Sequence, residues 1–248
     1  MAIFNTLTFD GINSLDRGIY ITGKAVYDAP ERVVDLITIP GRNGALAIDQ
    51  GRFENIEITY PAGCFAESAE AFREKIREFR NELAARYTYK RLMDTYHPDE
   101  YRLGLYKSGL EADAGPYNIA AEFDITFNCK PQRFLLSGEQ PQEYSASGTI
   151  ENPTLYDARP YLVVTGAGIL TLGQQTMQIA AGSGADQVIH IDCESQEAWE
   201  VVGAGKISRN DYISNAGETF PVLAAGENSV ILGNGITKLE ITPRWWRI

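Results

Sequence analysis

Apolar side chains in this sequence recur at a spacing of two nearly everywhere and at helical spacing in one place. That pattern restricts the chain to a mainly β architecture, because strand side chains alternate between faces whereas a helix repeats every three to four residues. The exception is a stripe of Phe72, Ile76, Phe79 and Leu83. Ser68 stands where an N-cap belongs, so one helix is expected over about 68–86, with its stripe packed on a sheet. Arg73, Glu74, Arg77, Glu78, Arg80 and Glu82 fill its other faces and read as a solvated surface.

Around the helix the alternation predicts strands. Val33, Asp35, Ile37 and Ile39 point one way, with Val34, Leu36 and Thr38 between them, which suits a strand covered on both faces. Leu46 and Ile48 continue the spacing after "PGRNG". Ile56, Ile58 and Tyr60 resume it after a turn expected near Gln50-Gly51, a hairpin pattern. Further strands are expected within 87–96, 101–106 and 117–128. The stretch "LSGEQPQEYSASGTIENPTLYDARP" then breaks the pattern with Ser, Gly, Pro and Glu and marks a domain boundary. The expected division is a first domain over 1–136, a linker over 137–153 and a second domain over 154–248. The second contains only short runs such as "YLVVTG", "QVIHIDC" and "NSVILGNG", with Asn234-Gly235 as a hairpin turn, and reads as a β-sandwich. Trp245 and Trp246, adjacent on a strand, must face opposite ways, one buried and the other marginal.

Composition excludes several function classes. At 248 residues and 44% hydrophobic, the chain can bury a real core. The formal charge is −11, divided as −4 before Ser137 and −7 after Leu136, so neither part offers the basic stripe that tight nucleic-acid binding requires. An acidic surface past which nucleic acid slides is compatible with these numbers. The opening "MAIFNTLTFDGINS" lacks a basic segment followed by an apolar run, so no signal peptide is expected, and no apolar run is long enough to predict a membrane span. Cys64, Cys129 and Cys193 are odd in number and form no CxxC, which predicts reduced thiols in a cytoplasmic protein.

Chemistry is hard to find. His97, before Pro98, reads as part of a turn, and His190 in "VIHIDC" as a sheet side chain; neither has the companions a zinc site needs. "GAGKIS" at Gly203–Ser208 resembles the end of a P-loop, but Glu200 replaces its first glycine and Ile207 its magnesium-binding hydroxyl. No GxGxxG or GxSxG is completed. Asp192 and Glu194 share a strand face, as any residues spaced by two would. The sequence thus implies no catalytic residue, no metal and no cofactor. "PGRNG" remains. Pro40-Gly41 fits a type II turn and Asn43-Gly44 a type I′ turn, two turns that leave Arg42 at an exposed tip. The chain leaves this loop into another strand, whereas a phosphate cradle leads into a helix. An arginine on a rigid tip suits a partner's carboxylate. A solvated turn with no partner fits the same local physics.

The segment "FDGINSLDRGIYITG", with Phe9, Gly11, Asp16 and Gly18, is followed by "APERVVDLITIPGRNGALAIDQGRFENIEITY", by the helix after it, and by "DYISNAGETFPVLAAGENSVIL" with the closing "ITPRWW". In this order and spacing they resemble the distal tail protein (Dit) family of long, flexible-tailed bacteriophages. The resemblance implies an N-terminal β-barrel-like sheet with a packed helix, a galectin-like C-terminal β-sandwich, and no room for inserted carbohydrate-binding modules. It further implies a homo-hexameric ring at the virion tail tip, assembled in the bacterial host cytoplasm between the tail tube protein and the tail tip protein. That ring would dock receptor-binding proteins and let DNA pass without specific binding or membrane insertion. Pro40, Gly41, Arg42, Asn43 and Gly44 are then expected at a ring or neighbour contact. A carbohydrate-binding module for host cell-wall glycans is the alternative, although no aromatic platform can be assigned from the sequence. A carboxylate-pair hydrolase lacks candidate residues.

Overall fold

A computed structural model describes residues 4–23, 27–182, 187–215 and 220–248. Residues 1–3 of the N-terminal segment read above, and 216–219 of the C-terminal block, lie outside this set. The chain divides into two compact units, Met1–Arg133 with Ile248, and Phe134–Arg247.

The first unit contains β1 (Leu7–Phe9), β2 (Ile12–Asn13), β3 (Ile19–Ile21), β4 (Arg32–Thr38), β5 (Ala45–Phe53), β6 (Ile56–Phe65), α1 (Ala69–Ala84), β7 (Lys90–Asp94), β8 (Glu100–Tyr106), β9 (Asp113–Ala114) and most of β10 (Ala120–Leu135). Its main sheet runs β2-β1-β7-β8-β10-β6-β3. The Ile21 N–H donates to the Asn5 carbonyl (2.8 Å), which brings β3 back to the approach of β1 and curls the sheet into a barrel. Closure removes free edges that would otherwise pair with another chain. Alternation in β10 places Ala121, Phe123, Ile125, Phe127 and Cys129 inside. The Phe127 ring packs against Phe9 (4.9 Å between centroids), Tyr106 (5.8 Å) and Tyr60 (6.2 Å).

The expected helix is α1. Phe72, Phe79 and Leu83 are buried in the barrel core and Ile76 is partly buried against it. Ser68 Oγ accepts from the Ala71 N–H (3.2 Å), satisfying one of the donors a helix start leaves without a partner. Ser68→Ala should therefore lower stability by about 1 kcal/mol, read as a shifted urea midpoint in far-UV circular dichroism. A midpoint equal to wild type would show that solvent replaces the cap at no cost.

The second unit holds β11 (Gln142–Tyr144), β12 (Gly148–Asn152), β13 (Tyr161–Gly166), β14 (Gly168–Leu172), β15 (Gln175–Ile179), β16 (Val188–Asp192), β17 (Glu197–Val202), β18 (Gly205–Ser208), β19 (Ile213–Asn215), β20 (Gly226–Leu232), β21 (Ile236–Thr242) and β22 (Trp246–Arg247). Two sheets, β11-β21-β13-β16-β17-β18 and β12-β20-β14-β15-β19, share one core. Leu162, Val164, Ile189, Ile191, Leu239 and Ile241 come from one sheet, and Leu170, Leu172, Met177, Ile179 and Val230 from the other, all fully buried. This is a β-sandwich. Trp245 joins the core; Trp246, half-buried, donates from Nε1 to the Asp157 carbonyl (2.9 Å) and stacks on Tyr156.

Four expectations differ from the structure. Residues 137–153 are not a linker, since they contain β11 and β12, with Ile150 and Asn152 buried. Both are edge strands, and edges carry polar and charged residues that read as a loop in composition. The turn near Gln50-Gly51 is a bulge inside β5. The ladder passes from Arg32↔Phe53 to Val34↔Asp49, so β5 carries the extra residues, with Gly51 at φ 70°. β5 accordingly pairs with β4 rather than with β6. Asn234-Gly235 does turn the chain, but β20 and β21 belong to different sheets, so it crosses the sandwich and makes no hairpin. Finally, β4 is covered on neither face by the described residues, and that bears on function.

Candidate functional site

β4 and β5 form a two-stranded sheet that, among the described residues, is joined to no other strand. Paired residues share a face, so Val34, Leu36, Thr38, Ala45 and Ala47 line one side and Ile37, Leu46 and Ile48 the other. Leu36 is 71% exposed, and Ile37, Leu46, Ile48 and Val34 are all exposed too. A two-stranded ribbon is at best marginally stable by itself. This one is held at its base. Arg32 Nε donates to Asp49 (3.1 Å), its guanidinium lies 5.3 Å from the Phe53 ring centre, and the Glu54 N–H donates to the Glu31 carbonyl (2.8 Å). The hydrogen bond from Arg32 holds the Asp49 carboxyl below the usual carboxylate range, helped by the Gly51 N–H. Asn55, just beyond, donates to Tyr89 Oη (2.6 Å) and to Asn128 Oδ1 (2.8 Å), tying the end of the arm to β10.

The tip carries all five residues singled out in the sequence. Pro40, Gly41, Arg42, Asn43 and Gly44 are exposed. The Arg42 N–H donates to the Ile39 carbonyl (3.2 Å) and Gly41 has φ 78°, which is the type II turn expected. The second turn is different: Gly44 takes positive φ (79°) but Asn43 does not, so no type I′ turn forms. Six residues, 39–44, span the loop, and the longer closure does not require both central residues to be left-handed. Among the described residues the Arg42 guanidinium has no hydrogen bond and no ion pair.

A second feature was not legible in the sequence. Tyr161 on β13, His190 on β16 and Trp199 on β17 gather on the outer face of one sandwich sheet, with ring centroids 5.8–6.0 Å apart. Tyr161 Oη and His190 Nδ1 lie 2.7 Å apart, and the Lys206 ammonium sits 4.1 Å over the Trp199 ring. The Arg244–Asp192 pair (2.7 Å) borders the group. These rings are about 40 residues apart at most in sequence and meet only because β13, β16 and β17 are neighbours in the sheet.

Cys129 and Cys193 are buried, and burial pushes both thiols up to about 12, far from the thiolate a nucleophile needs. His97 sits in its turn beside Asp94 (3.1 Å). Gly203–Ser208, the P-loop-like stretch, spans a hairpin closed by Val202↔Gly205. Among the described residues no three His, Cys, Asp or Glu side chains gather to hold a metal ion, and no helix is long and apolar enough to cross a membrane.

Comparison with known proteins places this geometry. Residues 16–129 match the family model of the phage tail protein RIFT-related domain. No curated protein matches the chain. Among solved structures, it is similar to the SPP1 Dit (gp 19.1) protein, described as a paradigm of the hub adsorption apparatus in phages infecting Gram-positive hosts, with 15% identity and a TM-score of 0.74 over 99% of this chain and 100% of that one. It is also similar to chains of the phage p2 baseplate in its activated conformation. With strontium the identity is 10% and the TM-score 0.57, over 99% of this chain and 98% of that one. With calcium the identity is 10% and the TM-score 0.54, over 97% and 98%. Residues 16–129 of the barrel unit thus match the phage tail protein RIFT-related domain, and the chain as a whole shares the fold of the SPP1 Dit protein.

Proposed function

We propose that this chain is a structural hub of a phage or prophage tail: a distal tail protein whose copies close into a hexameric ring between the tail tube and the tip protein, with receptor-binding components docked on it. It is a non-enzymatic part of the virion tail tip, assembled in the host cytoplasm. The observation that carries this reading is the arm. Apolar residues exposed on both faces of a ribbon anchored at its base are an interface awaiting cover, since each Leu or Ile buried by a neighbour contributes about 1.5–3 kcal/mol. A ring supplies such cover through copies of the same chain. The acidic balance of both units supports a channel through which DNA passes without adhering.

Light scattering over a concentration series, with negative-stain images of each peak, tests the ring. Six copies of the 27.4 kDa chain, about 164 kDa, should appear as rings with an open centre. A chain that stays monomeric alone and with the tip protein would overturn the reading. Within it, Arg42→Ala should weaken assembly and leave the monomer folded. Loss of one charge-assisted hydrogen bond costs about 1.5–3 kcal/mol, or about 10–100-fold in the affinity of each contact. An unchanged ring population would remove Arg42 from the interface.

One observation favours a second reading, wall-glycan binding: the cluster of Tyr161, His190 and Trp199, bordered by charged side chains, is the kind of surface on which a sugar ring stacks. Calorimetry with host wall polysaccharide, using wild type and Trp199→Ala, decides it. Heat lost in the variant supports glycan binding, and no heat in wild type rejects it.

A further inference from the structure

The chain contains two Asn-Gly dipeptides, Asn43-Gly44 and Asn234-Gly235; both are exposed, but their backbones are held differently. An asparagine followed by glycine can react with its own backbone. The nitrogen of the next residue attacks the side-chain carbon Cγ, provided that nitrogen is free to move and no side chain shields it.

At the arm tip every condition is met. Asn43 and Gly44 are exposed, and a Cβ at Gly44 would meet nothing within 4 Å. Both residues lie outside the β4–β5 ladder, which closes at Thr38↔Ala45. Among the described residues neither the Asn43 amide nor the Gly44 N–H is hydrogen-bonded. The second dipeptide is clamped. The Gly235 carbonyl accepts from the Ala167 N–H (3.2 Å), and the Gly233 N–H donates to the Ile169 carbonyl (2.8 Å). A Cβ on Gly235 would stand 2.3 Å from the Ala167 oxygen, so the backbone there has no room to rearrange.

We infer that Asn43 is a self-modification site, converting through a cyclic imide to aspartate and isoaspartate. The Gly44 nitrogen gives up its proton and bonds to Asn43 Cγ, the Cγ–Nδ2 bond breaks, and ammonia leaves. Water then opens the five-membered imide at either carbonyl, and the released ammonia takes up the acid proton, so one amide and one water become one carboxylate and one ammonium ion. The product sets a carboxylate beside Arg42, taking the formal charge of residues 40–44 from +1 to zero. The isoaspartyl form also adds a methylene to the backbone next to Gly44. The chemistry stands on the local structure; its consequence, a tip less suited to a partner's carboxylate, rests on the proposed ring contact.

The test is peptide mass spectrometry of the purified full-length chain, sampled during incubation at mildly alkaline pH, with Asn43→Gln as control. The Asn43 peptide should convert about tenfold or more faster than the Asn234 peptide, which must wait for local opening. The control should remain unmodified at the tip, because glutamine would have to form a larger ring. Equal conversion at the two sites, or an intact Asn43 while Asn234 converts, overturns the inference. The ring reading is scored separately by light scattering on the same samples, so a chain that never assembles yet converts at Asn43 sinks only that reading.

Discussion

Glu100→Ala is expected to destabilise the barrel unit by about 3–5 kcal/mol, a large part of what holds an ordinary domain together. The reason is the inward face of β8, which alternates Glu100, Arg102, Gly104 and Tyr106. Glu100 is 3% exposed and forms an ion pair with Arg133. Arg102 is 8% exposed; burial lowers its affinity for the proton, and the like charge of Arg133 lowers it further. Among the described residues, Nη1 of Arg102 and Nε of Arg133 have no hydrogen-bond partner. Two guanidinium groups therefore depend on very little nearby negative charge, and removing the Glu100 carboxylate leaves them buried and uncompensated. Arg102→Met should be close to neutral, because it removes a cation that is poorly satisfied and keeps the packing volume. All three tryptophans, Trp199, Trp245 and Trp246, lie in the second unit. In urea titrations the far-UV transition of Glu100→Ala should move, with tryptophan emission as the internal control. A far-UV transition identical to wild type would show that solvent already satisfies the arginines.

Leu36→Asp and Leu46→Asp, made separately, should each abolish ring formation while changing monomer stability by no more than about 0.5 kcal/mol. Leu36 and Leu46 lie on opposite faces of the arm, and both are exposed in the single chain, so the folded monomer loses little. In the proposed ring, with both faces covered, each substitution would bury an unpaired carboxylate at every one of its six contacts. Leu36→Thr and Leu46→Thr, which keep strand propensity without the charge, should give intermediate ring populations. If one aspartate variant assembles normally, the arm lies flat on its neighbour with that face in solvent. If both assemble, the arm is not the ring contact.

The residues explain how far reading the sequence reached. Helix α1 was legible because its signals are local: a cap at Ser68 and a stripe at spacings of three and four. The type II turn at Pro40-Gly41 was legible for the same reason, since proline sets one torsion and glycine tolerates the next. Asn43 departs from the expected type I′ turn because that dipeptide preference holds for a two-residue connection, and the length of this loop depends on where β4 and β5 stop pairing. The aromatic cluster of Tyr161, His190 and Trp199 was out of reach, because its members come from three strands whose neighbourhood is a matter of topology.

The arm divides the two kinds of information most clearly. By itself the sequence determined that residues 33–39 and 46–48 are extended and carry apolar side chains on both faces, because alternation follows from the two-residue repeat of a strand and requires no partner. Only the tertiary structure decided which strand lies beside which, and that no other described residue covers the pair. β5 had two candidate partners of similar pattern, β4 and β6, and β6 is taken by β10 over ten paired residues and by β3 on its other side. A strand's hydrogen-bonding edges can be filled once each, so the longer-range pairing left β4 and β5 to each other, with both apolar faces open.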